Sequence, residues 1–414
     1  MSDEPRAPSN EHDETRTMHA WPGAAAAAEL GGMPAEIDGY RLLGVLGQGG
    51  MGVVYLAEQK EPRRRVAINV IRGSAHTDSL HVRLFRREAE TLGRLRHPNI
   101  GAIYGAGRLP DGWPYFAMEL VEGPTLDAYL ASRPSPANRA GLLHRLALAG
   151  RISEAVHYAH QRGVIYRDLK PSNIVIPAPS DGSAPSSTSA GMPDVKVLDF
   201  GLARLTDDDS QVSLMSDVGA IRGTLPYMSP EQVRGETQAL DVRSDVYTLG
   251  VILFEMIAGE RPYDVSRVSL TEAMRVISEQ EPRALRDTPS GMARVDTDLQ
   301  SIVLKALAKE PERRYSSAAA LAEDLERYPN SQPVLARTPS TTYQLRKLVA
   351  RHKPLVAALA VALVAIVAAA VVSTVMFVRA RNEAARSQPF CRTCSRVPDR
   401  PLRAAATRRS CASA

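Results

Sequence analysis

Short apolar runs, separated by glycine, proline and charged residues, fill the chain from residue 40 to about residue 120. They lie at 40–46, 53–57, 66–71, 102–104 and 115–120. β-Branched and aromatic residues are frequent in these runs, and polar residues often alternate with apolar ones, as in half-buried strands. The pattern therefore predicts that the first third of the chain consists of β-strands joined by turns.

Longer segments with helical spacing follow, at 142–160, 244–258, 299–308 and 318–327, where apolar residues recur every three or four positions. A strand-rich part followed by a helix-rich part predicts an α+β fold with two lobes. One stretch, 177–193, differs because Ser, Ala, Pro and Gly occupy most of its positions. This composition predicts a flexible surface insertion between two strands.

The longest apolar run is 355–378, whose 24 residues carry no charge and include only Ser373 and Thr374 as polar members. At about 1.5 Å per residue such a helix is roughly 36 Å long, enough for a hydrocarbon core about 30 Å thick. A buried helix of a soluble protein is the alternative, but uncharged runs of this length are rarely needed in a core. The run predicts one transmembrane helix. Basic residues flank both of its ends, so the positive-inside rule does not orient it.

The formal charge of +5 is concentrated at the ends of the chain. Residues 1–36 hold two arginines against seven acids, a net −5, whereas 379–414 hold nine arginines against two acids, a net +7. Because the basic character lies in the tail, no nucleic-acid partner is expected. The leader is expected to be disordered, and it is not a signal peptide because no apolar segment follows a basic start.

Cysteine is rare, with only Cys391, Cys394 and Cys411 in the chain, which excludes a disulfide-rich scaffold. Cys391 and Cys394 form a lone C-x-x-C, for which incidental thiols or a disulfide are favoured over a metal site. The tail of 36 residues is short and rich in arginine, so no folded domain is expected in it. Its charge suits anionic lipid headgroups.

A glycine-rich segment at 47–54 has the form G-x-G-x-x-G-x-V. Glycines let backbone amides approach phosphates closely, because no Cβ intervenes. The pattern also occurs in dinucleotide-binding folds, where the third glycine opens a helix. Here Gly52 is followed by Val53-Val54-Tyr55-Leu56-Ala57, which predicts instead the returning strand of a hairpin folded over phosphates.

Three further motifs carry residues suited to phosphate chemistry. In chain order they are Tyr166-Arg167-Asp168-Leu169-Lys170-Pro171-Ser172-Asn173, Asp199-Phe200-Gly201 and Ser229-Pro230-Glu231. With the glycine segment they resemble the signature of Hanks-type protein kinases, of the bacterial membrane-anchored serine/threonine group. The resemblance covers 40–328 and implies a two-lobed protein kinase fold, with a β-rich N-lobe at 40–121 and a helical C-lobe at 122–328. A basic juxtamembrane linker at 329–354 would lead to the transmembrane helix.

The resemblance assigns catalytic and metal-binding roles. Asp168 would accept or orient the hydroxyl proton of the substrate, and Lys170 would lie near the γ-phosphate. Asn173 and Asp199 would supply oxygen ligands to Mg²⁺. The Asp-x-Lys pattern at this place resembles kinases that act on Ser and Thr, so ATP, Mg²⁺ and a protein hydroxyl are the expected cofactors and substrate.

A nucleotide pocket is also implied. Met118 would guard the adenine site, and Glu119 and Val121 would offer backbone groups to the purine edge. The nucleotide-binding set is Leu46, Gly47, Gln48, Gly49, Gly50, Met51, Gly52, Val53, Val54, Ala67, Asn69, Glu88, Met118, Glu119, Val121 and Val175.

Other residues would support or regulate the site. Asp245 resembles the buried carboxylate that anchors the catalytic loop, and Arg314 resembles the arginine that pairs with Glu231. Arg167, next to Asp168, implies control by a phosphate in the activation segment. Candidate residues in that segment are Thr206, Ser210, Ser213 and Ser216, with Thr224 as the substrate-platform threonine. A homodimer would serve phosphorylation of one copy by another.

One position departs from the family pattern. The third-strand motif V-A-I-K is Val66-Ala67-Ile68-Asn69 here, and Asn69 lies 17 residues after Gly52. Asparagine is uncharged and shorter than lysine, so it can neither neutralise phosphate charge nor form an ion pair with Glu88. By analogy with the loss of an oxyanion-hole donor, this costs on the order of 10²–10³ in rate. Tyr166 in place of the commoner histidine is a milder change, because it keeps an aromatic body with a polar tip.

Two functions remain open. The first is a membrane-anchored serine/threonine kinase of reduced activity in signalling, with protein substrates and the lipid bilayer as partners. The retained Asp168, Asn173 and Asp199 favour it. The second is a pseudokinase scaffold that binds nucleotide or partners without catalysis, and Asn69 favours that. Because ATP and Mg²⁺ are cytosolic, the kinase domain is expected in the cytoplasm, with the tail outside.

Overall fold

The computed structural model describes residues 36–49, 52–71, 85, 87, 89–109, 112–133, 136, 138–178, 194–200, 223–287, 296–338, 340–351 and 353–386. The chain divides into two units, Met1–Arg351 and His352–Ala414. Three expected segments lie wholly or mostly outside the described residues. They are the leader up to residue 35, positions 179–193 of the insertion, and the tail from 387 onward.

An antiparallel sheet of six strands, in the order β1-β2-β3-β4-β6-β5, forms the first part of the larger unit. The strands are β1 (Glu36–Ile37), β2 (Tyr40–Gly49), β3 (Gly52–Gln59), β4 (Arg64–Ile71), β5 (Ile103–Arg108) and β6 (Pro114–Glu119). The register places Asn69 of β4 opposite Val54 of β3 and Phe116 of β6. Asn69 therefore lies in the middle of the sheet.

The side chains of β4 divide between two cores. Val66, Ile68 and Val70 belong to a small core, whereas Ala67 and Ile71 belong to the large core that continues into the helices. Because successive residues of a strand point to opposite faces, Asn69 shares the face of Ala67 and Ile71. The alternation of the strand thus turns residue 69 towards the helical part.

Among the described residues of the larger unit, seven helices follow the sheet, before a last helix described below. They are α1 (Leu126–Ala131), α2 (Arg139–His160), α3 (Pro230–Val233), α4 (Val242–Ala258), α5 (Leu270–Glu279), α6 (Thr297–Ala306) and α7 (Ala318–Arg327). Helix α4 is buried along nearly all of its length. Asp241 caps its first turn, and Gly259 ends it in the left-handed conformation at φ 74°.

A short antiparallel pair, β7 (Ile174–Val175) and β8 (Lys196–Val197), connects the sheet to the helices. Ile100, which precedes β5, forms a bridge to Val197, and Thr125 forms one to Val175. The structure thus has a strand-rich part and a helical part around one large core, which confirms the predicted α+β, two-lobed architecture.

Two helices end the described chain. Helix α8 (Thr341–Arg351) belongs to the larger unit, and α9 (Lys353–Arg386) belongs to the second unit. Within α9, Val356–Glu383 is long and apolar enough to cross a membrane. Helix α8 lies inside 329–354, where the sequence predicts only a basic linker.

Candidate active site

The glycine-rich segment forms the hairpin between β2 and β3. Gly49 pairs with Gly52 at its end, while Gly50 and Met51 lie outside the described residues. Gly52 has φ 155°, and a Cβ there would come within 2.0 Å of the carbonyl oxygen of Val70. Only glycine fits at this position, because the backbone of β4 passes directly against it.

The resemblance also implies that Leu46, Val54, Ala67 and Val175 form the apolar walls of the adenine site. Ala67 is opposite Met118 across β4 and β6, and both are buried. Leu46 and Val54 are partly buried against the same core, and Val175 is buried where β7 meets Thr125.

Three further strand positions belong to the predicted nucleotide-binding set but are not among these apolar side chains. Val53 packs into the small core on the other side of the sheet, so only its backbone can face a nucleotide. Gly47 and Gln48 lie on β2, where Gln48 is opposite Val53.

The chain leaving β6 is held by an ion pair that the sequence did not reveal. Lys196 lies 2.9 Å from the Glu119 carboxylate. The Glu119 side chain also accepts a hydrogen bond from the Ala102 amide at 3.1 Å, and the Glu119 amide donates to the Ala102 carbonyl at 2.8 Å. The Glu119 amide is therefore already used within the protein, and Val121 follows it in a partly exposed position.

Asn69 faces Asp199 across the cleft between the two parts. Its Nδ2 donates to Asp199 Oδ1 at 3.4 Å. Burial raises the pKa of the Asp199 carboxyl above its ordinary value, and the Asp168 carboxylate adds to this, whereas Asn69 and Lys170 act in the opposite direction. Asn69 therefore contacts the predicted metal ligand directly, as a neutral donor.

Asp168 and its neighbours form the polar floor of the cleft. Lys170 Nζ donates to Asp168 Oδ2 at 2.9 Å and to the Thr224 hydroxyl at 3.2 Å. Asn173 Nδ2 donates to the Asp168 carbonyl at 3.1 Å, and the Asn173 carbonyl accepts from the Leu198 amide at 2.8 Å. These bonds bring the catalytic loop and the strand end before Asp199 together.

Asp168 Oδ1 is buried and has no hydrogen-bond partner among the described residues. A buried carboxylate oxygen without a partner costs free energy, and it is uncommon unless a ligand or a reaction uses it. The atom is therefore available to a group that enters the cleft.

The loop at 166–173, the predicted catalytic loop, is anchored by Asp245 of α4, which is 1% exposed. Its carboxylate accepts hydrogen bonds from the amides of Tyr166 at 2.7 Å and Arg167 at 2.9 Å, and it lies 2.7 Å from His160 Nε2. Arg167 and Asp199 both have positive φ, 66° and 57°, which costs about 1–3 kcal/mol for a residue other than glycine. The hydrogen bonds of Asp245 hold the strained Arg167 in place.

Tyr166 joins this loop to the segment of Asp199. Its hydroxyl donates to the Leu198 carbonyl, and its ring packs edge-on against Phe200 with 4.7 Å between centroids. Burial, together with the Asp199 carboxylate, raises the pKa of Tyr166 well above its ordinary value. The tyrosine is therefore a neutral packing and hydrogen-bonding residue here.

Glu231 and Arg314 form a fully buried ion pair through two bonds of 2.7 and 2.8 Å. Burial acts to raise the pKa of Glu231, but Arg314 and the Ser244 hydroxyl hold it below its ordinary value. The next residue, Gln232, donates to the Arg167 carbonyl at 2.7 Å. Sequence reasoning missed Gln232, although a capping box joining Ser229 and Gln232 is legible in the sequence.

Several predicted residues lie outside the described part of the chain. These are Gly50, Met51, Glu88, Thr206, Ser210, Ser213 and Ser216, together with Gly201. Their roles remain predictions.

Comparison with known proteins identifies the family of the chain. The protein kinase domain family matches residues 40–325. Serine/threonine-protein kinase PknB of Mycobacterium leprae is 38% identical over 304 residues, which are 72% of this chain and 44% of that protein. Serine/threonine-protein kinase PrkC of Bacillus subtilis is 36% identical over 291 residues, 69% of this chain and 40% of that protein. The chain thus spans less than half the length of these relatives.

A solved structure has the same fold. The crystal structure of the Mycobacterium tuberculosis PknI kinase domain matches with a TM-score of 0.51 and 25% sequence identity, over 70% of this chain and 97% of that chain. The family match includes the glycine hairpin, the catalytic loop and Asp199. The chain belongs to the protein kinase domain family.

Proposed function

We propose that this chain is a membrane-anchored serine/threonine protein kinase, which transfers the γ-phosphoryl group of ATP to Ser or Thr hydroxyls of proteins. The observation that carries the proposal is the hydrogen bonding of the two carboxylate oxygens of Asp168. Lys170 holds its Oδ2, while its Oδ1 is buried without a partner among the described residues. The names of the relatives PknB and PrkC support the same class of acceptor.

Asp168 is arranged to receive a proton. The oxygen of the substrate hydroxyl forms a bond to the γ-phosphorus, the bond from that phosphorus to the ADP oxygen breaks, and the hydroxyl proton passes to Asp168 Oδ1. Lys170 holds the carboxylate through its other oxygen. Because Lys170 also contacts Thr224, it ties the catalytic loop to the segment expected to position the substrate.

The residues present fit a magnesium ion. Asp199 and Asn173 offer the hard oxygen ligands that Mg²⁺ prefers, and burial of the Asp199 carboxyl favours a cation beside it. The described residues contain no cluster of three His, Cys, Asp or Glu side chains that could enclose a metal. Such a site depends on phosphate oxygens to complete the shell, as in nucleotide-dependent enzymes. When bound, the ion supplies positive charge to the phosphates.

The apolar walls beneath the hairpin would hold the adenine. Ala67 and Met118 lie side by side in the sheet, and Val175 is buried in β7. Since the Glu119 amide is used by Ala102, we expect the Glu119 carbonyl and the Val121 backbone to contact the purine edge.

We propose that activity is reduced because Asn69 replaces a cation. Its amide holds Asp199 at 3.4 Å but brings no charge to the α- and β-phosphates. Removing one preorganised donor from a developing charge costs on the order of 10²–10³ in rate. The amide therefore keeps the position of the metal ligand without stabilising the phosphates.

Membrane anchoring is proposed from α9 alone. Its segment Val356–Glu383 is long and apolar enough to span a bilayer. Because ATP is cytosolic, the kinase domain would face the cytoplasm, and the chain after the span would lie outside the cell. We propose the kinase domain at 40–328 and the membrane segment at 355–378. Phosphorylation of Thr206, Ser210, Ser213 or Ser216 by a second copy is part of the same proposal.

Phosphate transfer from labelled ATP to a generic protein substrate, by the full chain in detergent micelles, tests the catalytic assignment. The Asp168→Asn variant is expected to lose about 10²–10⁴ of the transfer rate, while nucleotide binding stays. Asp194→Asn is the matched control, because Asp194 is exposed and pairs with Arg151 outside the site. Equal rates for wild type and Asp168→Asn would refute the catalytic role.

The second candidate function is a pseudokinase scaffold, and Asn69 is the observation that favours it. A scaffold would bind nucleotide, measured by fluorescence of an ATP analogue, yet show the same transfer rate as Asp168→Asn. Detectable transfer that depends on Asp168 excludes the scaffold.

A further inference from the structure

The segment after α7 is fastened to the kinase domain by a buried carboxylate. Asp324 is fully buried. It accepts hydrogen bonds from the amides of Leu335 at 2.6 Å and Ala336 at 2.8 Å, and from the Tyr315 hydroxyl at 2.8 Å. This part of the expected linker is therefore held against the domain.

Helix α8 is fastened in a similar way, through Asp298 in the first turn of α6. The Asp298 side chain is 3% exposed and lies 2.9 Å from Arg337 and 2.5 Å from Lys347. The Tyr343 hydroxyl accepts a hydrogen bond from the Val334 amide at 3.2 Å. Tyr343 and Lys347 are four residues apart, so they lie on one face of α8, and this face is turned to the domain.

The other face of α8 is apolar and exposed. Leu345, Leu348 and Val349 are 62%, 56% and 40% exposed, and their spacing places them in one stripe. At 3.6 residues per turn, the stripe lies about opposite Tyr343 and Lys347. Neighbouring exposed apolar side chains on one helix face make this face a candidate contact surface for a partner or a membrane.

The position of the stripe in the chain indicates its occupant. Helix α8 ends at Arg351 and α9 begins at Lys353, so three residues separate α8 from the proposed membrane span at 355–378. Arg346, Arg351 and Lys353 add positive charge to this stretch, which complements anionic headgroups. An apolar stripe with basic residues is typical of helices that lie in the membrane interface.

We propose that α8 lies in the headgroup region of an anionic bilayer, with Leu345, Leu348 and Val349 turned towards the acyl chains. The inference rests on the proposed membrane span. Tyr343 and Lys347 hold the opposite face of α8 against the kinase domain, so the domain is kept at the bilayer surface. The protein substrates that it reaches are then those at or near the membrane.

Environment-sensitive fluorophores on single cysteines test this inference. The full chain, with Cys391, Cys394 and Cys411 changed to serine, is reconstituted in nanodiscs of phosphatidylcholine and phosphatidylglycerol in equal parts. The cysteine variants are Leu348→Cys on the stripe, Val364→Cys in α9, and Val45→Cys as the control. Val45 is an exposed apolar residue of the sheet, 39% exposed. Lipids with spin labels on the acyl chains serve as quenchers.

We expect quenching and a blue shift at positions 348 and 364, and neither at position 45. Quenching at 364 but not at 348 would overturn the inference while leaving the membrane span intact. No quenching at either position would refute the span itself, and the inference with it. A blue shift at 348 in detergent that disappears on dilution would show that a second copy covers the stripe, which also overturns the proposal.

A second variant tests the contribution of the stripe to orientation. Leu345→Gln with Leu348→Gln keeps the helix-forming chain but removes the apolar surface, so protection of α8 from hydrogen exchange in nanodiscs should fall several-fold. If the double variant and the wild type show equal protection of α8 in nanodiscs, the proposal is contradicted.

Discussion

The two sides of the proposed catalytic cleft differ in how completely their polar groups are paired. On the helical side, each charge that supports the catalytic loop is buried with partners: Asp245 holds two loop amides, and Arg314 pairs twice with Glu231. On the sheet side, Asn69 makes one bond of 3.4 Å to Asp199. The charges that anchor the loop on the helical side are thus paired, whereas on the sheet side Asn69 is a neutral amide at a position where the family resemblance implies a cation.

The two sides also differ in what a substitution would do to the stability of the fold. Removing one member of a buried ion pair leaves an uncompensated charge and costs about 3–5 kcal/mol. Asn69 is uncharged, and its strand neighbours Ile68 and Val70 pack into the small core. We therefore expect a substitution at Asn69 to affect the proposed phosphate chemistry more than the stability of the fold.

The largest expected effect tests the helical side. Arg314→Met should lower the free energy of unfolding by about 3–5 kcal/mol, because Glu231 would be left buried and unpaired. Arg313→Met is the matched control. Arg313 is 76% exposed and lies 3.6 Å from Glu310, so its loss should change stability by less than about 0.5 kcal/mol. Urea unfolding of both variants in detergent measures this, and equal values would refute the contrast.

The next effect tests the sheet side. Asn69→Lys should raise the rate of phosphate transfer by roughly 10²–10³, because a cation would again face the phosphates. Asn69→Gln is the matched control, since it lengthens the side chain without adding charge and should leave the rate near that of wild type. Single-turnover transfer from labelled ATP separates these outcomes. A rate for Asn69→Lys no higher than that of Asn69→Gln would show that charge at this position does not limit transfer.

A smaller effect tests the hairpin above the cleft. Gly52→Ala should destabilise the domain by about 1–3 kcal/mol, because its Cβ would meet the Val70 carbonyl oxygen at 2.0 Å. Gly47→Ala should have little effect on stability, since a Cβ there meets nothing within 4 Å. Thermal unfolding without nucleotide compares the two. Similar midpoints would mean that the hairpin relaxes freely.

The last expected effect depends on pH and concerns a partly buried lysine on the helical side. Burial lowers the pKa of Lys309 to about 8 from 10.5, and its ammonium donates to the Tyr263 hydroxyl at 2.7 Å. Between these pKa values the unfolded chain binds more protons than the folded chain, so stability should rise as the pH increases from 8 towards 10.

Unfolding midpoints of wild type and Lys309→Met across this range measure the effect. The variant should lose the rise, because it has no group to deprotonate at position 309. Lys305→Met keeps Lys309 and should retain the wild-type profile. A rise of the same size in Lys309→Met would assign the effect to another group.

Local patterns in the sequence were enough for the architecture and the family. The alternating runs predicted the sheet, the helical spacing predicted α2, α4, α6 and α7, and the four motifs predicted a protein kinase, which the family match confirms. These features depend on neighbours within a few positions of the chain, so periodicity and spacing express them directly. The catalytic and metal-binding roles of Asp168, Asn173 and Asp199 stay predictions.

Only the tertiary structure decided which distant residues meet. The sequence marked Asn69 as unusual, but its bond to Asp199 joins positions 130 residues apart. The docking of α8 through Lys347 and Asp298 was likewise invisible in a stretch that predicts a basic linker. Hydrophobic periodicity depends on residues that are close in the sequence. Such contacts depend instead on how whole elements pack, and a single sequence contains no distances between elements.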